Sequence, residues 1–481
     1  MFKRLLFDTM FALSANTIFK VLNAIIVIVL ANYLGPDKYG IYSTAIAFIG
    51  IFLVFSDMGL RMLLIQEGSK DIKKAPVYFG NAIIFQSILT VLVIPILFIT
   101  SKLFGYSHIT VILILVLGPA LFLIEQSRVS WAVLRLKNIN NSVSISEVLQ
   151  GFASLGAIFF ITKLSDTPTN QTLFYIAISQ LVINFVYFIV LFIYASKAVF
   201  KPEFALKALK GMLKKSYIFA LSELFFTVYF QVDQIVISII KNAQDVGFYS
   251  APFKVIIFFL FIPRILVRIS RPFMYKLFYG GMDKYKRINI FFHRYYSAIG
   301  IPLGILTILL AQPIILFLFK EKYSASIPVL KVFGWFIMFY FISVASSQSL
   351  TTLLKQKTLT KIQATTVILN LILDIIFVCY FGFVGAAYAT LIVQIIASCL
   401  FIYFDAKYMQ EKIINIIKPL FSIIAAGIGM AIFTYLLRNT VEFILLGIMS
   451  CFVYILFLYI FRFFNEYDIK LYQQIIKKKH N

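Results

Sequence analysis

At 481 residues with 61% hydrophobic and only 13% charged side chains, the chain is too apolar for a soluble protein, in which roughly a quarter of the residues are charged. Its formal charge of +24 does not point to nucleic acid, because the basic residues lie in short gaps between apolar runs rather than on one solvated face. The period-two alternation of an outer-membrane barrel is absent, so the runs, each about 20 residues long and able to cross a hydrocarbon layer of roughly 30 Å, read as helical spans.

In chain order the hydropathy predicts spans near 10–33, 40–62, 78–103, 110–134, 143–163, 172–195, 216–240, 248–270, 293–318, 327–353, 362–381, 383–404, 416–437 and 443–464. The first lacks a small-residue cleavage site and exceeds a signal-peptide core, so it is expected to be retained as a span. Gly35 and Pro36 stop it and turn the chain. Of the 44 Lys and Arg residues, the N-terminus, the even-numbered connections and the C-terminal tail (Arg462, Lys470 and Lys477 to Lys479 among them) hold 34, whereas the odd-numbered connections hold eight. That bias predicts fourteen spans with both termini in the cytoplasm.

Gly40-Ile41-Tyr42-Ser43 opens the second span, and Gly247-Phe248-Tyr249-Ser250 opens the eighth, 207 residues later. Two six-helix halves of the same orientation imply a pseudo-two-fold axis along the membrane normal, with substrate bound between the halves. The predicted division is a first lobe over 1–200, a cytoplasmic linker over 201–215, a second lobe over 216–405, and two further spans with a basic tail over 406–481. In the linker, Phe204, Ala208, Leu209 and Met212 share one side and Lys207, Lys210 and Lys214 the other, which predicts a helix lying on the cytoplasmic headgroups. Cys379, Cys399 and Cys451 fall inside apolar runs without metal or redox spacing and read as small core residues.

The stretch Leu34-Gly35-Pro36-Asp37-Lys38-Tyr39-Gly40-Ile41-Tyr42, followed by Ser56-Asp57-Met58-Gly59-Leu60, resembles the Wzx-type polysaccharide and O-antigen repeat-unit flippases of the multidrug/oligosaccharidyl-lipid/polysaccharide (MOP) exporter superfamily. Length, span count and inside termini agree, so the resemblance covers nearly all of the chain. It implies an all-α integral membrane protein with a MATE-like fold: two six-helix lobes forming a V around a central cavity, plus two C-terminal helices. It also implies a multi-pass protein of the bacterial inner membrane that passes undecaprenyl-diphosphate-linked oligosaccharides outward by alternating access, among membrane lipids and beside other polysaccharide-assembly proteins, with no nucleic acid and no cofactor. Independently of any family, Asp57 and Arg61, four apart, are placed to pair on one helical face.

A charge at mid-bilayer costs roughly 2.5 to 3.5 kcal/mol on insertion scales, so each needs a partner, a wet cavity or a function. Lys20 lies about ten residues into the first span with Asn16 and Asn23 on its face. The eighth span carries Lys254, with Arg264 and Arg268 deeper toward the cytoplasm on roughly the same side, broken by Pro263. Lys20, Arg61, Lys254, Arg264 and Arg268, with Asn16 and Asn23, are therefore the candidate contacts for a diphosphate, which requires fixed cations and suits bidentate arginine; anchors at the interface and ion pairs within the protein are the alternative roles. The 207-residue offset places Glu223 opposite Asn16 and Thr227 opposite Lys20, so the first half reads as cationic where the second is acidic. Among deep acids, Glu125 has Arg128 three residues on and reads as a structural pair. Asp374, with Asn370 and Thr366 on its face, and Asp233 are candidates for coupling to Na⁺ or H⁺, with Glu223 beside them; polar packing between helices is the alternative.

A MATE-type drug exporter would share the architecture but line its cavity with acids and aromatics. A lipid II flippase carries a diphosphate and is not separated from a Wzx-type protein by these residues. A membrane glycosyltransferase or polymerase would require a sizeable outside loop bearing catalytic groups; the outside loops are short, and the three histidines, His108, His293 and His480, have no partner spacing. No Gly-rich phosphate loop is present, so ATP is not the direct energy source.

Overall fold

The computed structural model describes residues 2–137, 139–165, 167–198 and 201–464; the basic tail with Lys470 and Lys477 to Lys479, and His480, lie outside the described residues. Among the described residues the regular structure is helical: α1 (Phe2–Asp57), α2 (Leu60–Lys70), α3 (Ala75–Leu103), α4 (His108–Leu136), α5 (Asn140–Leu164), α6 (Asn170–Ala198), α7 (Leu206–Ile240), α8 (Ala243–Phe259), α9 (Phe261–Tyr279), α10 (Met282–Leu309), α11 (Ala311–Phe319), α12 (Ile327–Thr352), α13 (Gln356–Met409), α14 (Ile413–Ile417), α15 (Leu420–Leu437) and α16 (Phe443–Ile460). Eleven helices among the described residues are long and apolar enough to cross a membrane, or twelve if the bent pair α10 and α11 counts as one span. Two of these are double-length: α1 breaks at Gly35 and α13 at Gly382, both at positive φ, where glycine pays no Cβ penalty. Outward-facing surfaces are apolar, with Val91 and Phe452 each 69% exposed, as a bilayer requires and water does not tolerate over such areas. In α16 the buried residues are Leu446, Ser450, Tyr454 and Leu458, a single stripe at spacing four. Its Ser450 hydroxyl and that of Thr434 on α15 hydrogen bond at 2.7 Å, and lipid takes the other faces.

Packing divides the chain into two units, residues 1–254 with 374–383 and residues 255–373 with 384 onward. In the first, α1 packs on α4, α5 and α7. The two copies of the glycine motif meet there. A Cβ on Gly40 would lie 1.6 Å from the Ala243 carbonyl oxygen, and one on Gly247 1.9 Å from that of Pro36. Since Pro36 and Ala243 are themselves 207 residues apart, each copy seats its glycine on the backbone turn of the other, a local pseudo-two-fold contact that only hydrogen side chains permit.

The linker differs from its predicted role. Helix α7 starts at Leu206 and runs unbroken into the seventh span, and its apolar side faces protein rather than headgroups. Met212 joins the core of Leu60, Leu64, Phe79 and Val133. The buried Asn81 side chain accepts from the Ala205 N–H at 3.1 Å and donates to its carbonyl at 3.2 Å, while Phe204 is exposed. The two polar ends of one amide satisfy a strand-like turn that lipid could not. The three cysteines are exposed on outer helix faces rather than in the core, where a thiol is apolar enough to meet lipid.

Candidate functional site

The Asp57-Met58-Gly59 break separates α1 from α2, with Met58 and Gly59 both at positive φ. The break places the Asp57 carboxylate, nearly buried, at the start of α2. Arg61 approaches through its backbone: its N–H donates to Asp57 Oδ1 at 3.4 Å, and the Gln86 amide from α3 donates to the same oxygen at 3.0 Å. The predicted Asp57–Arg61 side-chain pair thus becomes a helix-start contact, because a carboxylate before a helix is drawn to its unpaired amides. Arg61 Nε is buried without a hydrogen-bond partner.

Around this turn the first unit gathers charge from four helices. Arg128 on α4 donates to Glu125 on the same helix, as its spacing predicts, and Asp57 and Glu223 of α7 lie within electrostatic reach of that pair and of each other. Arg128 is 49% exposed and Glu125 13%. Three acids therefore stand with two arginines where the sequence reading placed a cationic lining. Lys20 and Asn16, on α1, and Lys254, on α8, are half-buried in this unit; Lys20 has an interaction partner. Asn23 is exposed and donates to the Phe19 carbonyl of its own turn at 2.8 Å.

Asp233 is buried and accepts from the Tyr249 hydroxyl, and Ser250 donates to Gln234 at 3.0 Å, so the seventh and eighth spans are tied by two rungs. Asn370, Asp374 and Thr366 are buried on α13; the Thr366 hydroxyl donates to the Gln363 carbonyl at 2.8 Å.

In the second unit the α8–α9 break falls at Leu260 rather than Pro263. Helix α9 buries Pro263, Ser270 and Met274 and exposes Arg264, Arg268 and Arg271. Their spacing of four and three sets the guanidinium groups along one face. Arg264 lies against the Tyr340 hydroxyl. Arg271 was legible as the next step of the same stripe. Sequence reasoning also missed the partner of His293. Its Nε2 lies 3.2 Å from Asp405 Oδ2 on α13 and 3.1 Å from the Ser346 hydroxyl on α12, and Asn289 donates to Asp405 at 2.9 Å. No spacing rule reveals a partner 112 residues away.

Residues 5–269 match the model of a family described as polysaccharide biosynthesis protein. The chain belongs to that family. Among solved structures it is similar to the lipid II flippase MurJ in an inward closed conformation, with a TM-score of 0.76 at 19% identity over 94% of this chain and 99% of that one. It is also similar to an inward-facing multidrug resistance MATE transporter of the MOP superfamily (0.67, 14%, 83% and 98%) and to a MOP superfamily transporter from Pyrococcus furiosus (0.58, 14%, 84% and 94%). A curated relative, the uncharacterized membrane protein MJ1068 of Methanocaldococcus jannaschii, is 27% identical over 183 residues, and the match spans 36% of its length. The family and the fold agree with the resemblance carried by the Leu34–Tyr42 and Ser56–Leu60 motifs: a multi-pass, all-α membrane protein of the polysaccharide biosynthesis family with a fold similar to those of MurJ and MATE proteins.

Proposed function

We propose that this polysaccharide biosynthesis family member is a flippase, not an enzyme, that carries undecaprenyl-diphosphate-linked oligosaccharide repeat units from the cytoplasmic to the outer leaflet of a bacterial inner membrane by alternating access. The observation that carries the reading is the exposed arginine face of α9, Arg264, Arg268 and Arg271. Exposed cations on a helix of a membrane-spanning run suit an anionic ligand, and planar guanidinium groups match phosphate oxygens. That face argues against a cationic drug as cargo. Lys20, Arg61 and Lys254 are assigned as further headgroup contacts. With the cytoplasm negative, outward passage of two negative charges gains about 4.6 kcal/mol per 100 mV if they cross the full field. Coupling to Na⁺ or H⁺ is assigned to Asp374 and Asn370 or to Asp233, with Glu223 beside them; transport that ignores both gradients removes this assignment.

The test is a strain lacking this chain, examined for an undecaprenyl-linked glycan accumulating on the inner leaflet. Accumulation of a glycan other than lipid II supports the reading, accumulation of lipid II turns it to a peptidoglycan cargo, and no accumulation overturns it. Alanine at Lys20 or Lys254 is expected to abolish complementation while the protein remains in the membrane. Full complementation by both variants would remove these lysines from the site.

A further inference from the structure

Asp57 and Glu125 of the first unit have no role in the reading above, and carboxylates repel a diphosphate. Their placement resolves the conflict. Glu125 holds Arg128 by a direct ion pair, Asp57 accepts from the Arg61 backbone, and Glu223 completes the cluster from α7. Arg61 keeps a buried Nε without a hydrogen-bond partner, and the half-exposed Arg128 guanidinium is open to an incoming ligand.

Any phosphate that takes Arg128 has to displace Glu125 and stand near two further carboxylates. A phosphodiester, the headgroup of bulk phospholipid, brings one negative charge and exchanges one ion pair for another with no gain. A diphosphate diester brings two and can meet Arg128 with one phosphate and Arg61 with the other, since Asp57 lies within electrostatic reach of both arginines. Discrimination is a difference of affinities, and repulsion of the wrong ligand contributes as much as attraction of the right one.

We propose that Glu125, assisted by Asp57 and Glu223, makes the Arg61–Arg128 pair selective for a doubly charged diphosphate over the singly charged phosphodiesters that surround the protein. Glu125 is here a positioning residue: it acts through Arg128. The inference rests on the diphosphate cargo of the proposed function, and Arg128 becomes a specificity-determining residue of that same site.

The experiment measures binding to the purified full-length protein in detergent of two matched probes, a short-chain prenyl-diphosphate-linked N-acetylglucosamine and its prenyl-monophosphate-linked counterpart, identical in tail and sugar. The wild type is expected to prefer the diphosphate by about tenfold or more, the ratio of one added charge-assisted hydrogen bond. E125Q is expected to erase most of that preference by binding the monophosphate more tightly, E125D to restore it, and R128Q to weaken the diphosphate by about tenfold while leaving the monophosphate little changed. A wild-type preference that survives E125Q intact overturns the inference and leaves the cargo assignment standing. A wild type that binds neither probe, or both alike, overturns the cargo assignment and the inference with it. Should E125Q not accumulate, E223Q carries the same test, since Glu223 is exposed and its replacement disturbs no packed position.

Discussion

The two units each hold a polar cluster, and the clusters differ in kind. In the second unit His293, Asp405, Asn289 and Ser346 are all buried; they join α10, α12 and α13 and exclude water. In the first unit Asp57, Arg61, Glu125, Arg128 and Glu223 bring five formal charges together, and Arg128 and Glu223 remain exposed. Burial makes the difference. Ionic groups sealed among helices are held to one another, because separating them leaves a desolvated charge. Ionic groups on an open wall can trade partners at modest cost, because water screens the exchange. The first arrangement serves the fold, and the second can serve a ligand.

The largest effect is expected where that contrast is broken from the buried side. His293→Ala strands Asp405 in the interior and should cost about 3–5 kcal/mol of stability, read as a large drop in the thermal unfolding midpoint in detergent. The double change His293→Leu, Asp405→Leu should recover much of it, whereas an unaltered midpoint in His293→Ala would show that the buried cluster does not hold the helices together. Next in size is the glycine crossing. Gly40→Val or Gly247→Val drives a side chain into a facing carbonyl and should cost about 1–3 kcal/mol, and because both act on one contact the double variant should lose less than the two single losses combined.

Of the same order is Asn81→Ala, which leaves the Ala205 backbone unpaired beneath the linker. About 1–3 kcal/mol is the range for such a loss. Limited proteolysis near residue 203 should report it as faster cleavage, and unchanged cleavage would mean that Asn81 does not hold the linker down. From the open side, Arg128→Gln should move the unfolding midpoint by less than the equivalent of about 1 kcal/mol while lowering transport by about tenfold, the reverse of the His293 pattern. Smallest is Lys70→Ala. Its partner Glu67 is 2.9 Å away, but the lysine side chain is 63% exposed, so neither stability nor transport should change measurably.

Spans and turns were legible in the sequence because lipid enforces a local rule. Each segment that crosses has to satisfy its own backbone and show apolar side chains, so hydropathy locates helices and Gly35-Pro36 locates a break without knowledge of neighbours, whereas the break at Met58-Gly59 fell inside a span read as continuous over 40–62. The repeated glycine motif was visible, but that its two copies pack on each other's backbone emerged only from the structure. The family motifs were read from the same stretches. What the sequence could not decide was which polar groups meet. His293 and Asp405 are 112 residues apart, Asn81 finds Ala205 across 124, and the acids around Arg128 come from three separate helices, α1, α4 and α7. All these pairings depend on helix rotation and on helix-to-helix packing, which no local period encodes. The linker shows the same division: its amphipathic pattern was visible, but an apolar stripe fits a membrane surface and a protein core equally well, and only the packing of Met212 against α2, α3 and α4 selected the core.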